Sequence, residues 1–337
     1  MSLATKYRPK TFDEVVEQNV VKAILQNQIK DNDIKNCYLF CGPAGTGKTS
    51  QSRLFANDLN SYITELDAAS HNGVDDIRQL IEESRHKPIG CAYRVYIIDE
   101  AHCLSGSAWS AFLKCLEEPT PTSIFIFATT DPQKIPKTII SRIQRFELKK
   151  ISFEGIVNRL KFIIDSENKE GANYTFDEDA ISYIARLSDG GMRDAITSME
   201  KALSFNSHLS IESVTDALGT VDYNTMFDLT DAVVKMDKLR VIEIIETINN
   251  AGCDLKQFTK NYCDFVLDLC KYDIVKTFDY ILIPPTFKNR FTAYNKDDYK
   301  FFTSLLNEMI NLNTSIKWES MPKPLIESTL LLLCSEV

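Results

Sequence analysis

Gly42-Pro43-Ala44-Gly45-Thr46-Gly47-Lys48-Thr49, entered from Cys37-Tyr38-Leu39-Phe40-Cys41 and left through Ser50-Gln51-Ser52-Arg53-Leu54-Phe55-Ala56, decides the fold. The apolar run before it has the length and character of a buried strand, and the run after it reads as a helix. Strand, glycine-rich turn and helix N-terminus together make an anion site. The glycines let several backbone N–H groups face one phosphate, and the helix dipole adds partial positive charge there. In such a G-x-x-x-x-G-K-[ST] loop, Lys48 reaches the β- and γ-phosphates and the Thr49 hydroxyl ligates Mg²⁺. Residues 42–50 are therefore expected to line a nucleotide.

A second strand, Val95-Tyr96-Ile97-Ile98, ends in Asp99-Glu100. Four apolar residues tipped by two acids fit a central parallel strand, and ligands of open α/β sheets sit at that C-terminal edge. Asp99 is expected to hold Mg²⁺ and Glu100 to orient or deprotonate the attacking water. The tetrad Asp99-Glu100-Ala101-His102 also matches one found in helicases, but four letters recur in many nucleotide-binding strands. A third strand, Ile124-Phe125-Ile126-Phe127-Ala128, ends in Thr129-Thr130, and Thr130 is the candidate for sensing the γ-phosphate or the water. Two arginines complete the set. Arg142 lies about a dozen residues beyond the third strand and is expected to act in a neighbour's site. Arg193 sits in an apolar-periodic helix (Met192, Ile196, Met199, Leu203) and is expected to fold over its own γ-phosphate.

This ordered set resembles AAA+ ATPases, and within them the clamp-loader family of bacterial DNA polymerase III gamma/tau subunits. The resemblance is carried by Lys6-Tyr7-Arg8-Pro9 with Phe12-Asp13-Glu14-Val15-Val16, by Leu66-Asp67-Ala68-Ala69-Ser70, and by Leu113-Lys114-Cys115-Leu116-Glu117-Glu118-Pro119. It continues through Ala128-Thr129-Thr130-Asp131-Pro132-Gln133-Lys134-Ile135-Pro136 and Ser141-Arg142. It implies an adenine pocket near Tyr7, Arg8 and Val16, a trans-acting Arg142, and a DNA-tracking inner surface for which Arg78 and Lys87 are candidates. It also implies ATP and Mg²⁺ as ligands. The implied partners are other clamp-loader subunits in a ring of about five, a sliding clamp and primer-template DNA, all within a DNA polymerase holoenzyme.

Three departures from the family pattern stand out. The family's cysteine-rich zinc module is replaced by a short link from Phe55 to Tyr62, and none of the nine cysteines has C-x-x-C spacing, so no zinc is expected. The family's Ser-Arg-Cys is Ser141-Arg142-Ile143. Glu17 stands where the family often has glycine, beside the adenine pocket.

Composition bounds the rest. A chain of 337 residues with 44% apolar residues has room for two or three domains with proper cores. No apolar run is long enough to span a bilayer, and the N-terminus lacks a signal-peptide core. Free-standing cysteines fit a reducing, cytoplasmic setting. The net charge of −9 argues against tight autonomous DNA binding, while leaving room for a local basic lining shared among subunits.

The expected architecture is an α/β AAA+ domain with a RecA-like parallel sheet over residues 1–150, a three-helix lid over 151–218 and an all-α collar over 219–337. Strands are expected to stop near residue 150, and the polar stretch Lys288–Lys300 after Pro284-Pro285 is expected to be a loop or a connection between helices. The leading functional expectation is an ATP-hydrolysing clamp-loader motor. A non-catalytic stator is disfavoured by the intact Lys48, Thr49, Asp99 and Glu100. A helicase or branch-migration motor lacks the further helicase blocks and a second RecA-like domain.

Overall fold

The computed structural model describes residues 1–219, 221–278, 280–281 and 283–335; residues 336 and 337, the end of the expected C-terminal domain, lie outside them. The chain divides into two compact units. One comprises Met1–Ala172 with Ile184–Glu200, the other Asn173–Tyr183 with Lys201–Val337. The expected lid range, 151–218, contributes residues to both.

The first unit is built on a five-stranded sheet. Its strands are β1 (Cys37–Cys41), β2 (Ser61–Asp67), β3 (Tyr93–Asp99), β4 (Ser123–Thr129) and β5 (Gln144–Glu147), in the order β2-β3-β4-β1-β5. All pairings are parallel. Helices cover both faces, and this explains why the central strands read as unbroken apolar runs: alternate side chains enter two different cores. Leu39, Tyr96, Ile98, Phe125 and Phe127 pack against Ile77, Leu80, Trp109 and Phe112 on one side. Tyr38, Phe40, Val95, Ile97, Ile124 and Ile126 pack against Leu25, Leu54 and Phe55 on the other. Edge-to-face contacts lock each layer, with ring centroids 5.2 Å apart for Phe112–Phe127 and 5.0 Å for Tyr38–Phe55. β4 lies between β1 and β3, in register Cys41↔Thr129 and Ile98↔Phe127. The glycine-rich loop, Thr129-Thr130 and Asp99-Glu100 therefore leave the same sheet edge side by side.

The second unit is largely helical, around Phe227, Tyr262, Phe265, Phe291 and Phe302. Thr230 and Tyr262 share a buried hydroxyl–hydroxyl bond of 2.9 Å. Two sequence expectations are corrected here. Strands do not end near residue 150: β6 (Thr175–Phe176) and β7 (His208–Leu209) form a short parallel pair. The stretch Lys288–Lys300 is mostly helical, comprising Lys288–Thr292 and the start of Lys296–Ser315. Asn295 caps the second helix in a capping box with Asp298, and Phe291 and Tyr299 are buried.

Candidate nucleotide-binding site

A cavity of about 470 Å³ opens at the C-terminal edge of the sheet, and every residue lining it belongs to the first unit. Its size suits a nucleotide. Ala44, Gly45, Thr46, Gly47, Lys48, Thr49 and Ser50 contribute the glycine-rich loop and the start of the Lys48–Asp58 helix. Asp99 and Glu100 enter from the end of β3, Arg193 from the first turn of the Met192–Phe205 helix, and Tyr7, Arg8 and Val16 from the N-terminal segment. Gly42 and Pro43 are not part of the lining. Their carbonyl oxygens instead accept hydrogen bonds from Lys48 Nζ, both at 2.8 Å.

Those two bonds hold the Lys48 ammonium within the curl of the loop. Burial pushes its pKa below the ordinary lysine range, while Glu100 and Asp99 pull in the opposite direction. Among the described residues this buried cation makes no direct ion pair, so it suits an anion. Thr49 Oγ1 donates to Asp99 Oδ2 at 2.6 Å. Mg²⁺ favours hard oxygen ligands and keeps several waters, so one hydroxyl and one carboxylate in contact fit its needs. Burial also lowers the Arg8 guanidinium; Arg53 and Arg193 add repulsion, opposed by Glu65 and Asp99. Lys48, Arg8 and Arg193 thus make one side of the cavity cation-rich.

Gly45 explains how the loop and the Met192–Phe205 helix come together. It has φ +71°, and a Cβ there would stand 2.9 Å from the Cα of Gly191. The close approach lets the Gly45 carbonyl accept the Met192 N–H at 3.0 Å, which sets Arg193 beside the loop. At the other end, Arg159 Nη2 donates to the Tyr7 carbonyl at 2.9 Å, and the Tyr7 hydroxyl donates to Glu167 Oε1 at 2.7 Å. The N-terminal segment is thereby fastened over the Phe153–Lys169 helix.

Glu17 has φ +57°, a left-handed conformation that glycine would adopt without strain. Its carboxylate accepts the Ser152 N–H at 3.1 Å and also the Ser152 hydroxyl, and Ser152 is the N-cap of the Phe153–Lys169 helix. The side chain thus anchors the N-cap residue of a helix, as the family's glycine could not.

The remaining expected residues lie off the cavity lining. Thr130 Oγ1 donates to Glu100 Oε2 at 3.3 Å. Arg142 is exposed and donates to Glu117 Oε1 at 2.9 Å and to the Thr138 carbonyl at 2.7 Å. Arg78, on the Val74–Ser84 helix, pairs with Asp75 at 3.2 Å, and both it and Lys87 are exposed. Sequence reading missed Arg159, which lines the cavity from within the apolar stripe of Ile156, Leu160 and Ile163. It also missed His102, whose Nδ1 stands 3.3 Å from Glu100 Oε2. The Arg159 position carried no local signal; His102 carried one in its nearness to Glu100.

Comparison with known proteins places this site in a lineage. Residues 58–152 match the family described as DNA polymerase III, delta subunit, and residues 209–296 match DNA polymerase III subunits gamma and tau domain III. The DNA polymerase III subunit gamma of Buchnera aphidicola subsp. Acyrthosiphon pisum is 34% identical over 76% of this chain and 76% of its own length. The chain belongs to the DNA polymerase III gamma/tau family. The Bacillus subtilis subunit tau is 33% identical over 97% of this chain. The chain spans only 62% of that relative and 55% of the gamma/tau subunit of Mycoplasma genitalium. Among solved structures, the Thermotoga maritima RuvB Holliday junction branch migration motor superposes with a TM-score of 0.54 at 18% identity, over 74% of this chain and 86% of that one. That likeness, together with the parallel five-stranded sheet, shows the AAA+ fold. Among the described residues, no helix is long and apolar enough to cross a membrane.

Proposed function

We propose that this chain is an ATP-hydrolysing subunit of a DNA sliding-clamp loader within a DNA polymerase III holoenzyme. The observation that carries the reading is the convergence of Lys48, the Thr49–Asp99 pair, Glu100 and Arg193 on one cavity. Family membership supports the same reading. The triphosphate lies along the loop, where backbone N–H groups and the Lys48 ammonium take its charge. Thr49 and Asp99 would hold Mg²⁺, which would supply positive charge against the phosphates. Glu100 orients the attacking water and accepts its proton. Thr130 senses the γ-phosphate or that water, Arg193 closes over the phosphates from the same chain, and Tyr7, Arg8 and Val16 border the base.

In this reading Arg142 is the finger that completes a neighbour's site. It is exposed, lies away from its own cavity, and is held by local hydrogen bonds to Thr138 and Ser141 and a surface ion pair with Glu117 worth little to folding. ATP binding aligns subunits in a ring of about five that opens the clamp and grips primer-template DNA, with Arg78 and Lys87 on the DNA side. Residues 1–150, 151–218 and 219–337 serve as motor, lid and collar. No zinc is required: the Lys48–Asp58 helix is followed by β2 at Ser61, leaving only Leu59 and Asn60 between them. The setting is the cytoplasm.

The test is ATP hydrolysis by the assembly reconstituted with partner subunits, clamp and primer-template DNA. Lys48→Ala weakens nucleotide binding itself. Arg142→Ala leaves binding near normal and lowers DNA-stimulated turnover by on the order of 10³–10⁵. Unchanged nucleotide affinity in Lys48→Ala contradicts the loop assignment, and unchanged turnover in Arg142→Ala removes that residue from the mechanism.

A further inference from the structure

Glu100 sits in an unusual backbone state. Its φ is +47°, left-handed for a residue with a full side chain, immediately after β3 ends at Asp99. Such strain costs about 1–3 kcal/mol and persists where surrounding contacts fix it, often at functional sites. Its amide donates to Asp99 Oδ1 at 3.0 Å, so the kink also ties the two acids together.

Thr130 donates to the Glu100 carboxylate, and His102 stands beside the same oxygen. Thr130 Oγ1 is 3.3 Å from Oε2, and His102 Nδ1 is also 3.3 Å from Oε2. A carboxylate oxygen can only accept, so the facing Nδ1 carries a proton. The same nitrogen also stands 3.1 Å from Thr129 Oγ1, which accepts the Asp131 N–H at 3.0 Å, so the one Nδ1 proton is shared between the Thr129 hydroxyl and the Glu100 carboxylate. Thr129 is fully buried in β4, whereas the Glu100 side chain is 39% exposed and that of His102 17%. A rigid strand therefore sets the imidazole, and the imidazole edge faces a carboxylate otherwise held by the Thr130 hydroxyl. Among the described residues Glu100 Oε1 has no protein hydrogen bond, which leaves it for a water.

We propose that His102 is a positioning residue for Glu100, holding Oε2 so that Oε1 faces the attacking water. The proposal rests on the reading of Glu100 as the base. His102 touches no phosphate in this scheme and makes no contribution to nucleotide affinity. The mechanism requires an N–H at the Nδ1 position, which an asparagine side chain reproduces and a leucine of similar bulk does not.

The experiment compares His102→Leu, His102→Asn and Glu100→Gln in the full chain assembled with partner subunits, clamp and primer-template DNA. Affinity is measured with a fluorescent ATP analogue, single-turnover hydrolysis with ATP, and folding by thermal melting. Misplacing a catalytic group by about 1 Å costs roughly 10²-fold. His102→Leu is expected to lower the single-turnover rate by about 10–100-fold with unchanged affinity, and His102→Asn to restore it to within a few-fold of wild type. Wild-type turnover in His102→Leu overturns the proposal. So does an equal loss in the leucine and asparagine variants, which marks a packing role. Glu100→Gln separates the two levels: if it retains turnover, the reading of Glu100 as base fails and takes the proposal with it. If Glu100→Gln collapses turnover while His102→Leu does not, only the histidine's role falls.

Discussion

Replacing Gly45 with alanine tests whether the glycine-rich loop and the Met192–Phe205 helix form one structure. The added Cβ would stand 2.9 Å from Gly191 Cα and 3.1 Å from its carbonyl carbon, both backbone atoms that cannot rotate away. Favourable carbon contacts lie at about 3.5–4.0 Å, so the helix start must retreat by roughly half an ångström or more. The left-handed backbone at φ +71° adds about 1–2 kcal/mol for a residue with a side chain. Retreat loosens the Met192 N–H to Gly45 carbonyl bond, a further ~1 kcal/mol. The total is roughly 2–3 kcal/mol, which for a unit of this size lowers the melting temperature by about 5–10 °C. Gly90→Ala is the control, since Gly90 has φ +79° with nothing within 4 Å of its added Cβ and so carries only the backbone cost. Gly45→Ala should melt below Gly90→Ala and bind ATP about tenfold more weakly, because Arg193 moves with the helix. Equal melting temperatures with undiminished affinity would refute the coupling.

Further expectations concern charge and capping. Burial holds the Lys48 pKa below its ordinary value of 10.5, so between the lowered pKa and 10.5 the unfolded chain binds more protons than the folded one. Stability without nucleotide should therefore rise with pH across that window. A bound polyphosphate restores the charged form, so binding in that window should take up a proton. Calorimetry in buffers of different ionisation enthalpy reads the uptake, which should vanish in Lys48→Met; an unchanged buffer dependence in that variant contradicts it. At Glu17, alanine leaves the Ser152 cap on Gly155 and removes the acceptor of the Ser152 N–H and hydroxyl but keeps the backbone strain, costing about 1 kcal/mol. Glycine removes both, so Glu17→Gly should melt higher than Glu17→Ala by the equivalent of about 1 kcal/mol. The reverse order would show that the left-handed backbone at Glu17 carries no strain.

The sequence exposed the sheet and the loop because each rests on short-range signals. Apolar strands flanked by glycine or acids carry their burial in consecutive letters, and the Lys48 loop carries its geometry in its glycines. Long-range arrangements carried no such mark. β6 and β7 are two residues each, too short for any alternation to register. The Lys288–Lys300 stretch looked like a loop because its charged residues outnumber Phe291 and Tyr299; the Asn295–Asp298 capping box was the signal that polarity obscured. Arg159 reaches the cavity from an apolar helix face, and only the tertiary fold brings it there. Glu17 was readable as a departure from the family's glycine, but its partner Ser152 is 135 positions away.

One amide carries more information than its size suggests. The Met192 N–H is shared with a carbonyl in the very turn expected to wrap the phosphates. Its exchange with deuterated solvent therefore requires that turn and helix part company, even briefly. A peptide spanning residue 192, followed by mass spectrometry, would act as a built-in occupancy gauge: slow when the loop is filled and clamped, faster once the ligand has gone.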